Sequence, residues 1–124
     1  MTIGLLVDEG KLEWDKPIKD YIPDFQMYND ILTNHITIRD VLSHRTGLPE
    51  HGWASFRRLS RKDCVAALRY LEPNHEIRVK HQYNNKMFML PAYLLECITL
   101  FFFLNIKLDL LCFLRKNHLQ WYAL

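Results

Sequence analysis

Charge imbalance is nearly absent from this chain of 124 residues, where 16 Lys and Arg against 14 Asp and Glu leave a formal net charge of +2. The basic residues are scattered, so composition carries no footprint for nucleic acid. Arg57, Arg58, Arg61 and Lys62 form the densest basic cluster, which reads as a solvated helix start rather than an anion site. Cysteine is sparse and odd in number. Cys64, Cys97 and Cys112 are spaced too widely for a zinc pair or a Cys-x-x-Cys redox motif, and a disulfide framework ordinarily needs an even set. Reduced thiols in a cytosol-like compartment are the expectation. His35, His44, His51, His75, His81 and His118 lack metal-ligand spacing, so no metal and no cofactor is expected. No secretory signal is visible either, because Asp8 and Glu9 interrupt the first apolar residues. A cytoplasmic location is therefore favoured. No internal repeat or strand hairpin stands out.

Length and an ordinary apolar content fit one small domain with a single core. Ile3 to Val7 reads as the end of a helix, with Gly10 supplying the left-handed residue after the last turn. Lys11 to Pro23 reads as a loop with at most one helical turn, punctuated by Pro17 and Pro23 and pinned by Trp14 and Tyr21. Thr37 and Asp40 are spaced as a capping-box variant opening a helix with Ile38, Val41 and Leu42 on one face. Gly47 stops that helix and Pro49 prevents its resumption. Ser60 and Asp63 repeat the device ahead of Cys64, Val65, Leu68 and Leu71, and Pro73 closes the segment. A third helix is predicted from Asn84 or Asn85 through Met87, Met89, Leu90, Tyr93, Leu94 and Leu95. Pro91 is expected to interrupt it, at about 3 kcal/mol unless a kink absorbs the ring.

From Leu100 the character changes to Phe101-Phe102-Phe103-Leu104 and Leu110-Leu111-Cys112-Phe113-Leu114. A membrane anchor is one reading. Lys107 and Asp109 near its middle argue against it, at roughly 2.5–3.5 kcal/mol each for insertion. A buried or aggregation-prone apolar tail is the other reading.

Tyr83-Asn84-Asn85 is short, and alone it would be a surface or core tyrosine beside a helix-capping asparagine. Its surroundings change that. Asp8-Glu9-Gly10-Lys11-Leu12, then Ile36 through Pro49 (with His44-Arg45-Thr46-Gly47-Leu48), then Leu71-Glu72-Pro73-Asn74 precede it in order. The set resembles the beta-lactamase-related serine hydrolases, which include class C beta-lactamases, DD-peptidases and esterases. The resemblance runs from Ile3 to about Thr99. It implies a partial family domain over residues 1–99 and a divergent hydrophobic tail over 100–124. Such an abrupt switch is what translated intron or frameshifted sequence looks like.

The family's chemistry uses a Ser-x-x-Lys nucleophile, a Tyr-x-Asn element and a Lys-Thr-Gly or His-Thr-Gly strand. A phenol serves as a base only beside cations that favour phenolate. By this resemblance Tyr83 is the phenol that shuttles the nucleophile's proton, and Asn85 the amide that positions lysine and substrate. Ser43, Ser55 and Ser60 are followed three residues on by Thr46, Arg58 and Asp63, so none gives Ser-x-x-Lys. The family's nucleophile begins the helix whose end resembles Ile3 to Gly10, which would put it upstream of Met1. Arg45-Thr46-Gly47 precedes Tyr83, whereas the family's strand follows the tyrosine. Ser43 and His44 are neighbours on one helix end, and loop packing explains them better than catalysis.

The fold implied is mainly α, the helical region of an α+β beta-lactamase-like fold lacking most or all of its antiparallel sheet. Orphaned apolar faces and marginal stability follow. The implied function is a serine-hydrolase fragment, inactive as it stands, whose ancestral substrate is a small amide or ester. A non-catalytic interaction module associating through those faces, or a tail-anchored protein, are the alternatives.

Overall fold

The helices that follow Asn29, Thr37 and Ser60 start where a short polar side chain takes up amides that the first turn leaves unpaired. The computed structural model describes residues 2–50, 59–100 and 104. Helix α1 spans Thr2–Asp8 and ends, as the sequence predicts, at a left-handed Gly10 with φ of 70°. A single 3-10 turn, Ile18–Asp20, interrupts the loop that follows. That loop is pinned by Tyr21, whose hydroxyl accepts from the Glu13 amide at 2.9 Å.

Helix α3 (Ile38–Leu42) opens on the full capping box expected from Thr37 and Asp40. Helix α4 (Arg61–Ala67) opens on Ser60, whose hydroxyl oxygen accepts from the Asp63 amide at 3.2 Å. It tightens into a 3-10 turn, Leu68–Tyr70, which leaves Leu71 beyond its end. Helix α5 occupies residues 89–100. It is entered through a 3-10 turn, Asn85–Phe88, capped by the Asn84 side chain.

Two expectations need correction. Helix α2, Asp30–His35, had no counterpart in the sequence reading. The Asn29 side chain caps it by accepting from the Leu32 amide at 2.9 Å, and the Thr33 hydroxyl donates back to the Asn29 carbonyl at 2.8 Å. At six residues, with β-branched Ile31 and Thr33, it carries too little periodicity to register. Pro91 does not break the last helix. It is the third residue of α5 and is buried, and first-turn amides have no intrahelical partner to lose.

The fold is mainly helical, and no strand occurs among the described residues. An isolated antiparallel bridge joins Pro17 to Thr37, where the Ile18 amide donates to the Ile36 carbonyl at 3.0 Å. One core gathers residues from every described helix, including Ile3, Leu32, Val41, Val65 and Leu94. Full burial of such side chains contributes about 1.5–3 kcal/mol each. Other apolar side chains face solvent, among them Leu5, Ile31, Tyr70, Val79 and Leu100. Of the basic cluster, Arg61 pairs with Glu96, while Arg57 and Arg58 lie outside the described residues, as does the tail beyond 104.

A third correction concerns Gly47, which does not close α3. The left-handed residue at that helix end is His44, with φ of 55°, whose amide donates to the Val41 carbonyl at 3.2 Å while the Arg45 amide donates to the Asp40 carbonyl at 2.9 Å. Gly47, further along the loop with φ of 80°, meets a different constraint. A Cβ there would stand 2.1 Å from the His75 carbonyl oxygen, whereas a Cβ on Gly10 meets nothing within 4 Å. Both glycines are left-handed, so the difference isolates the close approach. We expect Gly10→Ala to destabilise by about 1 kcal/mol through the left-handed penalty. Gly47→Ala adds backbone displacement and should lose about 3 kcal/mol. Denaturant midpoints of the two variants check this; equal shifts would show that the 47–75 contact is not tight in solution.

Candidate active site

The segment carrying Tyr83 has no regular secondary structure over residues 71–84 beyond turns and bends, so its position must come from what it touches. Arg78 anchors it. The Arg78 guanidinium donates from Nε to Asp40 Oδ1 at 2.9 Å and from Nη2 to Asp40 Oδ2 at 2.8 Å. The same Nη2 donates to the His35 carbonyl at 3.0 Å. This fork geometry is the strong form of a charge-assisted pair. Asp40 also completes the capping box, accepting from the Thr37 amide at 3.1 Å and the Thr37 hydroxyl at 2.8 Å. Burial pushes the Asp40 carboxyl up, but hydrogen bonds from Arg78 and Thr37 and the Arg78 charge outweigh it, leaving it below the usual carboxylate range.

From that anchor the segment runs against the loop after α3. The Asn74 amide donates to the Gly47 carbonyl at 3.1 Å, the Arg78 amide to the Arg45 carbonyl at 2.8 Å, and the Gln82 amide to the His44 carbonyl at 2.8 Å. The Arg45 guanidinium returns a bond to the Arg78 carbonyl. Asn84, fully buried, donates from its side chain to the Pro49 carbonyl at 2.9 Å. Arg45-Thr46-Gly47 is thus part of the loop that holds the Tyr83 segment. Thr46 is buried, its hydroxyl oxygen accepting from the Leu48 amide at 3.3 Å.

Tyr83 and Asn85 come together. The Tyr83 hydroxyl donates to the Asn85 side-chain oxygen, and the tyrosine is 52% exposed. The His44 ring lies 4.8 Å from the Tyr83 ring, 5.1 Å from Phe88 and 5.6 Å from His81, centroid to centroid. Burial, and secondarily the His81 charge, push the His44 imidazole down. The adjacent Lys86 is buried; that burial pushes its ammonium down while the Glu50 carboxylate acts in the opposite direction. An apolar cleft of about 380 Å³ lies between Thr2, Ile3 and Gly4 of α1, Trp14 and Phe88. Phe88 therefore links the start of α1 to the His44–Tyr83 cluster.

A sequence model of the Beta-lactamase family matches residues 1–99. This chain belongs to the Beta-lactamase family. The unguisins hydrolase ungD' of Aspergillus campestris (strain IBT 28561) is 36% identical over 108 residues, a match covering 79% of this chain and 20% of the relative. The unguisins hydrolase ungD of Aspergillus violaceofuscus (strain CBS 115571) is 31% identical over 107 residues, covering 78% of this chain and 19% of the relative. The chain thus spans about a fifth of the length of the curated relatives it matches.

The serines of this Beta-lactamase chain are engaged locally where described. The Ser43 hydroxyl donates to the Arg39 carbonyl at 2.7 Å, and the Ser60 hydroxyl to Asp63 at 2.6 Å; Ser55 lies outside the described residues. Among the described residues no group of three or more His, Cys, Asp and Glu could hold a metal ion, and no helix is long and apolar enough to cross a membrane. Sequence reasoning missed Arg78 as anchor and the His44–Tyr83 contact, since each pair is separated by more than 35 positions and no local pattern signals it.

The Asp40–Arg78 pair makes stability pH-dependent with a definite sign. A carboxyl depressed in the folded state contributes fully above its unfolded pKa of about 3.9, and that contribution is lost as pH falls through the lower folded value. We expect Asp40→Asn to destabilise by about 2 kcal/mol at neutral pH, tempered by the half-exposed Arg78, and to flatten the stability profile below pH ~4. Urea titrations from pH 7 to 2.5 check this; parallel profiles for the two proteins would refute it.

Proposed function

We propose that residues 1–99 carry the tyrosine–asparagine wall of a beta-lactamase-like serine-hydrolase site, with Tyr83 as proton shuttle and Asn85 as positioning amide. The chemistry is acyl transfer from an amide or ester through an acyl-enzyme. The carrying observation is the Tyr83 hydroxyl bonded to Asn85 on an exposed edge, in a chain of this family. The start of α1, the helix whose counterpart in the family bears the nucleophile, shares a cleft with Phe88 beside the same cluster. The substrates for which the relatives are named, unguisins, fit as a starting probe. These 124 residues contain no serine followed three residues later by lysine, and no Lys-Thr-Gly after Tyr83. A phenol without a nucleophile to deprotonate turns nothing over. The expected outcome is no hydrolysis of a chromogenic beta-lactam or a short-chain nitrophenyl ester above a Tyr83→Phe control. Turnover that Tyr83→Phe removes would overturn the claim of inactivity.

A second reading, an interaction module, has its own observation. A cleft of about 680 Å³ between α2 and residues 73–79 exposes Ile31 and Val79, which are 64% and 69% accessible. Its occupant in this reading is a second chain of the same family. Sedimentation should show association that an Ile31→Lys, Val79→Lys double variant weakens at least tenfold. A monodisperse monomer at high concentration, unchanged when mixed with a longer family member, rejects it.

A further inference from the structure

The geometry points to His44 as the positioning residue of the Tyr83 phenol, gripping the chain on both sides of that tyrosine. The inference rests on the reading of Tyr83 as the proton shuttle. The His44 carbonyl accepts from the Gln82 amide at 2.8 Å, one residue before Tyr83. The His44 Nδ1 accepts from the Asn84 amide at 3.3 Å, one residue after it. Between these two points the imidazole packs against the Tyr83 ring at 4.8 Å. A phenol held at both flanking amides and on its face has little freedom left at its Cα, and its remaining torsion is restrained by the bond to Asn85.

Two further features fit this role. His44 has φ of 55° as the left-handed residue that ends α3, its amide donating to the Val41 carbonyl and the Arg45 amide to the Asp40 carbonyl, so the helix end fixes its backbone independently of Tyr83. Nδ1 can accept only when unprotonated, which puts the proton of the neutral ring on Nε2. The low dielectric around the ring favours that neutral form. Among the described residues, the rings packed against the imidazole are His81, Tyr83 and Phe88. Protonation of His44 would turn Nδ1 into a donor against the Asn84 donor and place a positive charge in a partly buried cluster. The grip therefore holds at neutral pH and is released as pH falls through a value below 6.5, the ordinary histidine figure.

Amide exchange and chemical-shift titration by NMR on the full 124-residue chain test this without reference to turnover. Exchange is normalised to intrinsic rates and to the Cys64 amide, which donates to the Ser60 carbonyl at 2.9 Å in the first turn of α4. In the unaltered protein the Asn84 amide and the Tyr83 ring signals should titrate together with the His44 ring, with a midpoint below 6.5. His44→Phe keeps a ring but removes the acceptor, and should accelerate Asn84 exchange at least tenfold relative to Cys64. His44→Asn tolerates a positive φ and offers an oxygen near the Nδ1 position, and should restore Asn84 protection while abolishing the titration. Asn84 signals that ignore the His44 titration in the unaltered protein overturn the proposal, even if no variant folds. So does His44→Asn exchanging at Asn84 as fast as His44→Phe. Failure of the hydrolase reading instead appears in a longer, active relative whose turnover survives loss of the matching tyrosine.

Discussion

Asp40 is where local and long-range structure meet. Its carboxylate closes the first turn of α3 through Thr37 and simultaneously receives both nitrogens of the Arg78 fork. A buried carboxylate needs its lone pairs filled, or burial costs more than the pair returns. Here the four contacts fill them, and a fifth bond from Arg78 to the His35 carbonyl ties in the end of α2. By comparison, the Arg39–Asp15 pair has equally good geometry at 2.6 Å, but both side chains are more than half exposed. Such a pair contributes at most about 1 kcal/mol. The two ion pairs look alike on a contact map, and burial decides which one organises the molecule.

With Arg78 fixed, the rest of the irregular segment follows. Its amides at 74, 78 and 82 donate to the carbonyls of Gly47, Arg45 and His44, running antiparallel to the loop without forming a strand. Such a ladder needs close approach at one end, which Gly47 alone permits. At its other end lies Tyr83. The tyrosine's position is thus set by a helix cap 43 residues earlier in sequence, through a loop that gives the impression of a catalytic triplet. The composition of Arg45-Thr46-Gly47 suits that holding role: an arginine reaching a carbonyl, a buried hydroxyl satisfying its own turn, and a glycine without a side chain to collide.

The parts legible in the sequence were those encoded within four residues. The Thr37–Asp40 and Ser60–Asp63 caps and the left-handed Gly10 each depend on neighbours alone, whereas Gly47 answers to the distant His75 carbonyl. Pro91 misled because its effect depends on where the helix starts; a 3-10 entry over Asn85–Phe88 moves the α-helical first turn onto it. Helix α2 was hidden because its stability comes from packing Leu32 into the core and from the Thr33 bonds, not from periodicity. In the candidate site the Tyr83–Asn85 pair was legible through family likeness, since the two lie two residues apart. Arg78 and His44 were not, because side chains that meet across about forty residues leave no local signature.

Backbone strain supports the same division of labour. Among the described residues, only His44 and Arg78 have positive φ without being glycine, at 55° and 71°. They sit on the two facing segments, one directly against Tyr83 and the other at the anchor. A left-handed residue other than glycine is disfavoured by roughly 1–2 kcal/mol, so a chain shaped by stability alone would place glycine or asparagine at either position. Each instead keeps a side chain whose polar atoms face inward across the interface, Nδ1 to the Asn84 amide and the guanidinium to Asp40. Asparagine is too short to make the Arg78 fork, and glycine could make neither contact. At Arg78 the strain is therefore tied to what the side chain holds, the segment that presents the phenol, whereas at His44 it belongs to the left-handed end of α3 from which the imidazole reaches that same segment.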